Sequence, residues 1–336
     1  MGEFSEVPEI DVSALNRDGD TAALAQRFVA VYRDTGFAYI TGHGVDPALR
    51  AAVFDASRRF HALPLEDKLA LALDANHRGY IAINTSTDVT SDLAEVTRPN
   101  QSASFMLMRE DATADPAVYL SGPNRWPALD GFRAACEAYV AAMTALSRRL
   151  LSLAFEGLGV ADATALRAFD TPTTWLRLLH YPPQPPQAPD DLYGSAPHRD
   201  FGCLTLLAQD DVGGLQVQTP AGAWVEAPPV PDAFIVNVGD MLHRLSNGVL
   251  RSTPHRVINT SGRERYSVPF FYDPHVSTVV APLAGLGAPR FEPIRFGAFL
   301  RGELEASYDR HAKPDAEPAP DGYKKGHPVG GGPATR

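Results

Sequence analysis

Apolar residues repeat at helical spacing through the N-terminal half of the chain. The three clearest series are Leu24, Phe28 and Val31; Leu49, Val53, Ala56 and Phe60; and Phe132, Cys136, Val140, Met143, Leu146, Leu150 and Leu153. Side chains three or four positions apart lie on one face of a helix. Asp46 followed by Pro47 is typical of a helix start, and Gly157 is typical of a helix end. We therefore expect an N-terminal lobe of amphipathic helices whose apolar faces pack into a core.

The pattern changes at Thr173, after which short runs rich in β-branched and aromatic residues follow one another. These runs cover residues 175–181, 203–208, 215–218, 224–227, 234–238, 255–259 and 266–272. Gly, Pro, Asp or Asn separates most of them, as is typical of a barrel or a double-sheet jelly roll. The predicted fold class is therefore α+β, with a jelly-roll core and flanking helices that come mainly from the N-terminal lobe.

Composition and charge limit the classes of protein to which this chain can belong. Hydrophobic residues make up 44% and charged residues 21% of the 336, as in a globular protein. The apolar runs are too short to cross a membrane, and the acidic N-terminus does not resemble a signal peptide. A formal charge of −10 argues against nucleic-acid binding, and the two cysteines, Cys136 and Cys203, fit a reducing compartment. We expect a cytoplasmic protein, monomeric or weakly homo-oligomeric, that acts on a small molecule.

A His-x-Asp motif carries the most informative chemistry. His198 and Asp200 are two positions apart at the head of a predicted strand, so their side chains are expected on one face. His255 begins a later predicted strand and is the candidate third ligand. Two imidazoles and one carboxylate leave coordination positions open, as non-haem Fe(II) oxygenases require for O₂ and a chelating co-substrate. We therefore predict that His198, Asp200 and His255 are the metal ligands and form the catalytic centre.

A second pair of polar residues follows ten positions after His255. Arg265 and Ser267 are again two positions apart and are expected on one strand face. Arginine binds a carboxylate through two charge-assisted hydrogen bonds, and the serine hydroxyl adds a donor. The pair therefore predicts a clamp for the far carboxylate of a dicarboxylic acid that chelates the metal with its other end.

The motifs together resemble the 2-oxoglutarate and Fe(II)-dependent oxygenases of the isopenicillin N synthase-like branch. The resemblance runs from about Val7 to Pro274. Its landmarks, in order, are residues 8–11, 35–45, 60–68, 78–80, 198–207, 213–217, 237–240, 246–248, 255–257 and 265–267. It implies a double-stranded β-helix with flanking helices, and it implies that the protein requires Fe(II), 2-oxoglutarate and O₂. The expected activity is oxidation of a small metabolite with release of succinate and CO₂.

The resemblance also implies roles for single residues and a division of the chain. Tyr181 is similar to a tyrosine that hydrogen-bonds the co-substrate, although it is equally typical of a core aromatic. Leu179 stands where many plant-type members have asparagine, which puts any role of that amide in doubt. We expect a helical lobe over 1–170, a jelly-roll core over 171–280, a C-terminal helical segment over 281–311 and a disordered tail over 312–336.

The sequence does not define the substrate, and it is compatible with two alternative functions. Arg177, expected on the same strand face as Tyr181, is a candidate for an anionic substrate or for a structural acid. Phe105 and Phe271 are candidate apolar contacts, although core packing is the more common role of such residues. One alternative function is an Fe(II)-dependent oxidase of the isopenicillin N synthase type that does not use 2-oxoglutarate. A less favoured one is a non-catalytic metabolite receptor on the same scaffold.

Overall fold

The computed structural model describes residues 4–17, 19–86, 93, 98–160, 163–185, 187–189 and 191–307. Within them lie one 3-10 helix (Ser13–Asn16) and seven α-helices. The α-helices are α1 (Ala22–Asp34), α2 (Pro47–His61), α3 (Leu65–Leu69), α4 (Phe132–Gly157), α5 (Ala163–Arg167), α6 (Asp240–Leu245) and α7 (Phe296–Ser307). The three helices predicted from apolar spacing are confirmed as α1, α2 and α4. Asp46 caps α2 as expected, because its Oδ1 accepts a hydrogen bond from the backbone N–H of Ala48 at 2.8 Å. The predicted tail over 312–336 lies outside the described residues.

Fourteen strands form three sheets in the described part of the chain. In chain order they are β1 (Glu9–Asp11), β2 (Phe37–Thr41), β3 (Gly79–Ile81), β4 (Ala103–Met108), β5 (Thr173–Tyr181), β6 (Ser195–His198), β7 (Leu204–Gln209), β8 (Leu215–Gln218), β9 (Trp224–Glu226), β10 (Phe234–Val238), β11 (His255–Val257), β12 (Arg265–Asp273), β13 (Val279–Val280) and β14 (Ile294–Arg295). The major sheet has the order β1-β2-β10-β7-β12-β5-β4-β3, and the minor sheet has the order β6-β11-β8-β9. β13 and β14 pair separately.

All seven strand runs predicted after Thr173 are confirmed, with ends that differ by at most two residues. The N-terminal half, however, also contributes β1, β2, β3 and β4 to the major sheet, where only a helical lobe was expected. Every residue of β4 is buried, because this strand is covered on both of its faces. A strand covered on both faces lacks the alternation of apolar and polar residues by which strands are recognised.

The two larger sheets face each other across an apolar interior. Residues of β2, β5 and β10 from the major sheet and of β8 and β11 from the minor sheet share one buried cluster. Helices α1, α2 and α4 cover the other side of the major sheet and enclose the larger core cluster. The predicted α+β jelly roll with flanking helices is therefore confirmed. The proposed division of the chain at residues 170 and 280 stays a prediction.

Candidate active site

A cavity of about 140 Å³ lies between the inner faces of the major and minor sheets. That volume holds on the order of ten water molecules, which is room for small ligands only. Eight of the nine candidate residues line it: Arg177, Tyr181, His198, Asp200, His255, Arg265, Ser267 and Phe271. The fold therefore brings together residues that lie as far as 94 positions apart in the chain, from Arg177 to Phe271.

The two histidines meet because β6 and β11 are antiparallel neighbours. His198, the last residue of β6, is the register partner of His255, the first residue of β11. Asp200 follows two residues after β6 ends, so the motif closes a strand, whereas the sequence pattern placed it at the head of one. One ligand atom from each residue lies within 4.8 Å of the other two. In the described part of the chain, this is the one cluster of three or more His, Cys, Asp or Glu side chains so arranged.

Backbone carbonyls orient both imidazoles toward a common point. His198 Nδ1 lies 2.7 Å from the carbonyl oxygen of Ala196, and His255 Nδ1 lies 3.3 Å from that of Thr253. A carbonyl can only accept, so each Nδ1 carries the proton and each Nε2 presents a lone pair. Burial, together with the neighbouring His198, lowers the pKa of His255 to about 4. His255 is therefore neutral at physiological pH, as a metal ligand must be.

Hydrogen bonds direct the Asp200 carboxylate in the same way. Its Oδ2 accepts hydrogen bonds from Thr205 Oγ1 at 2.5 Å and from Asn237 Nδ2 at 2.7 Å. Its Oδ1 faces the histidines, 3.6 Å from His198 Nε2 and 3.7 Å from His255 Nε2. Burial pushes the pKa of Asp200 up, but the two histidines and these two donors outweigh burial and hold the pKa below its usual value. The donor set is thus two imidazole nitrogens and one carboxylate oxygen, which fits Fe(II).

Arg265 is a fully buried cation on the inner face of β12. Its guanidinium donates to the Gly213 carbonyl at 2.6 Å, to Ser267 Oγ at 3.1 Å and to Gln209 Oε1 at 3.0 Å. None of these partners is charged, and no ion pair of Arg265 occurs within the described residues. A buried charge is costly unless an anion compensates it. Since the guanidinium lines the cavity, a bound carboxylate can supply that anion.

Tyr181 packs against the same guanidinium. Arg265 Cζ lies 4.6 Å from the centre of the Tyr181 ring, and the two residues are register partners on β5 and β12. This contact is a cation–π interaction, which holds the guanidinium plane in place. A hydrogen bond from the Tyr181 hydroxyl to a co-substrate stays a prediction.

The opposite part of the cavity is aromatic and carries one further charge. The Trp175 ring lies 5.3 Å from that of Phe201 and 5.1 Å from that of Phe271. Arg177, two residues after Trp175, lines the same space. Arg177 and Phe271 are thus located where a substrate would contact them, and their roles stay predictions.

Phe105 does not reach the cavity. Its ring lies 4.3 Å from that of Phe60 on α2 and 5.8 Å from that of Phe132 on α4, and it is fully buried. The reason is the direction of alternate side chains on β4, because Phe105 points to the helices whereas Ser104 contacts Arg177 on the neighbouring strand. The structure therefore places Phe105 in the core between sheet and helices.

Four residues of the site were not singled out from the sequence: Thr205, Gln209, Asn237 and Trp175. Thr205 and Asn237 are register partners on β7 and β10, which places both beside Asp200. Gln209 is the register partner of Ser267. A signal was present, because Thr205 and Asn237 fall in two of the landmark segments, but their contact with Asp200 depends on strand pairing.

The fold and cavity define a class of protein: a jelly-roll protein whose cavity contains a two-histidine, one-carboxylate cluster and a buried arginine without an acidic partner among the described residues. Comparison with known proteins identifies the family. Residues 172–274 match the profile of the 2OG-Fe(II) oxygenase superfamily. Residues 7–129 match the profile described as non-haem dioxygenase in morphine synthesis N-terminal.

Relatives of similar length support the same family assignment. The 2-oxoglutarate-Fe(II) type oxidoreductase hxnY of Emericella nidulans is 36% identical over 306 residues, which is 86% of each chain. A homoarginine-6-hydroxylase of Arabidopsis thaliana is 34% identical over 301 residues, 84% of this chain and 88% of that one. The crystal structure of a full-length Neurospora crassa protein in complex with alpha-KG and thymine superposes with a TM-score of 0.80 at 30% identity, covering 91% of this chain and 98% of that one.

The chain belongs to the 2-oxoglutarate and Fe(II)-dependent oxygenase superfamily, as its motifs indicated. It is an oxidoreductase that requires Fe(II), 2-oxoglutarate and O₂, and the oxidase and receptor alternatives are not favoured. No helix among the described residues is long and apolar enough to cross a lipid bilayer.

Proposed function

We propose that His198, Asp200 and His255 hold the catalytic Fe(II), and that Arg265 and Ser267 hold the far carboxylate of 2-oxoglutarate. Tyr181 completes the co-substrate site by packing on the guanidinium and by donating its hydroxyl hydrogen bond to the same carboxylate. The observation that carries this proposal is one cavity that contains both a two-histidine, one-carboxylate cluster and a buried arginine without an acidic partner among the described residues. When bound, Fe(II) and 2-oxoglutarate supply O₂ activation, with decarboxylation of the co-substrate to succinate and CO₂.

The residues of this chain position the reactants and protect them from water. Asn237 and Thr205 fix the Asp200 carboxylate, so that Oδ1 remains directed at the metal position. Leu207, Leu215 and Val257 are apolar walls of the cavity and exclude water from the co-substrate. The enzyme thereby presents a fixed set of ligands and a dry compartment to the chemistry.

The substrate in this proposal is a small metabolite that enters the aromatic half of the cavity. Arg177 and Phe271 are the candidate contacts to it. The small molecules in the names of the relatives range from homoarginine to thymine, so they do not define a substrate here. Hydroxylation, desaturation and ring formation all suit such a site.

The same proposal places the protein in the cytoplasm, monomeric or weakly homo-oligomeric, without a nucleic-acid partner. Both cysteines, Cys136 and Cys203, are buried and unpaired, which suits a reducing compartment. The formal charge of −10 repels a phosphate backbone.

Turnover measurements test the proposed function. The Fe(II)-loaded protein is supplied with 2-oxoglutarate and O₂, and succinate formation and O₂ consumption are followed together. We expect equal amounts of both, with loss of turnover in Asp200→Ala and normal turnover in Asp211→Ala, whose carboxylate is exposed on the surface. O₂ consumption without succinate would instead support the oxidase.

A further inference from the structure

The cavity contains a second guanidinium, that of Arg177, which the proposed co-substrate site does not use. Its NH2 group donates to Ser104 Oγ at 3.0 Å, while its Nε is buried without a hydrogen-bond partner. No carboxylate of the described residues forms an ion pair with it. Arg109, which directly follows β4, is paired with Asp111 at 3.0 Å. Arg177 is thus a cation at the edge of a cavity with donors left to satisfy.

Its position separates Arg177 from the co-substrate clamp. Tyr181, which packs on Arg265, and Arg177 lie on the same face of β5, four residues apart. At the usual rise of a strand this is roughly 13 Å. The inference rests on the proposed function, in which one carboxylate of 2-oxoglutarate is held by Arg265 and the other faces the metal. Both co-substrate charges are therefore already compensated, and Arg177 remains for a different anion.

The surface beside Arg177 is largely aromatic. Trp175, Phe201, Phe271 and Leu304 line this end of the cavity. The interplanar angles of Trp175 with Phe201 and Phe271 are 43° and 41°, so the three rings are tilted against one another and form an aromatic wall. Such a wall favours contact with a planar or cyclic hydrocarbon body. Phe201 directly follows Asp200, so a body that touches it lies next to the metal position.

We propose that the substrate is a small carboxylic acid with a cyclic, apolar body. Its carboxylate binds the guanidinium of Arg177, and its body lies between Trp175, Phe201 and Phe271. The atom that is oxidised therefore belongs to the body, away from the carboxylate. An amine-bearing substrate does not fit, because Asp200 is the one acidic side chain among the described lining residues and it faces the metal.

Binding to the protein loaded with Fe(II) and 2-oxoglutarate under anaerobic conditions tests this inference. The probes are phenylacetate, phenylacetamide and phenethylamine, and the same three end groups on a cyclohexyl body. Calorimetry reports affinity, and the metal-to-ligand charge-transfer band reports whether a probe lies near the metal. We expect carboxylates to bind about 10- to 100-fold more tightly than their amides, the size of one hydrogen bond to a charged group.

Three variants assign the carboxylate preference to one residue. Arg177→Gln should reduce the carboxylate preference to less than about threefold without changing 2-oxoglutarate affinity, because the clamp is elsewhere. Arg109→Gln removes an arginine that already has an acidic partner, and it should leave the preference unchanged. Ser104→Ala should have an intermediate effect, since it releases one end of the guanidinium.

Several results would overturn the inference while leaving the proposed function intact. Tighter binding of amides or amines, an undiminished preference in Arg177→Gln, or binding of none of the probes to protein that shows the charge-transfer band would each do so. Absence of the band itself would contradict the proposed function instead. The two failures are therefore distinguishable in one experiment.

Discussion

Replacing Arg265 with lysine tests the co-substrate site most sharply, because it keeps the positive charge and removes the two parallel N–H donors of the guanidinium. A guanidinium has five N–H donors. Three are used within the protein, toward Gly213, Ser267 and Gln209. One hydrogen remains on each terminal nitrogen, which is the number that a bidentate carboxylate needs.

The expected loss follows from this count. Lysine can keep one charge-assisted hydrogen bond to the carboxylate but cannot supply the parallel pair. One such bond contributes about 1.5–3 kcal/mol, so the dissociation constant of 2-oxoglutarate should rise about 10- to 150-fold. The Gly213 carbonyl also loses its donor, which should lower the free energy of unfolding by about 1–3 kcal/mol.

Anaerobic calorimetric titration of the Fe(II)-loaded protein with 2-oxoglutarate measures the effect, well below the unfolding temperature of the variant. Arg263→Lys is the matched control, because Arg263 pairs with the exposed Asp211 on the surface. An unchanged affinity in Arg265→Lys, or an equal loss in the control, would refute the clamp.

Three further predictions address the metal site, the pH dependence and the core. Asn237→Ala should weaken Fe(II) binding about 10- to 100-fold in anaerobic titrations, because Asp200 loses a donor that orients it. Burial lowers the pKa of His61 to about 3, so this imidazole stays neutral in the folded protein. Only the unfolded chain is protonated at His61 as the pH falls below about 6.5. His61→Gln, which keeps a donor toward Leu178, should therefore recover about 1 kcal/mol of unfolding free energy between pH 6 and 5 relative to wild type. Phe105→Ala should cost about 3–5 kcal/mol of unfolding free energy but leave 2-oxoglutarate affinity unchanged.

Each of these predictions has a result that contradicts it. Equal Fe(II) affinity in Asn237→Ala would show that the amide does not orient the carboxylate. Parallel pH profiles of unfolding for wild type and His61→Gln would show that the imidazole is protonated in the folded state. A weaker affinity of fully folded Phe105→Ala for 2-oxoglutarate would show that the Phe105 ring contributes to the ligand site.

The residues of the metal and carboxylate sites could be proposed from the sequence because they occupy short motifs on recognisable strands. His198 and Asp200 are two positions apart, as are Arg265 and Ser267, so local geometry alone predicts a shared face. His255 was added to them as the third ligand because it begins a later predicted strand. Only the fold then places it opposite His198 across a strand pair.

Other features depend on pairing that no local pattern reveals. The hydrogen bonds to Asp200 come from neighbouring strands, and they follow from the register of Thr205 with Asn237. β4 lacks alternation because helices cover one face and the cavity region covers the other, so the direction of Phe105 could not be read from its neighbours. β1 and β3 were overlooked because they have three residues each, which is too short for an alternating pattern to be recognised.

The central claim is that Fe(II) and 2-oxoglutarate bind together at the cluster of His198, Asp200 and His255. The most direct measurement is anaerobic absorption spectroscopy of the apoprotein after addition of Fe(II) and then 2-oxoglutarate. We expect a visible metal-to-ligand charge-transfer band that saturates with the co-substrate, is lost in His198→Ala and persists in His275→Ala, whose imidazole contacts Ser277 outside the cavity. Stoichiometric Fe(II) binding without such a band, or a band that survives in His198→Ala, would contradict the account.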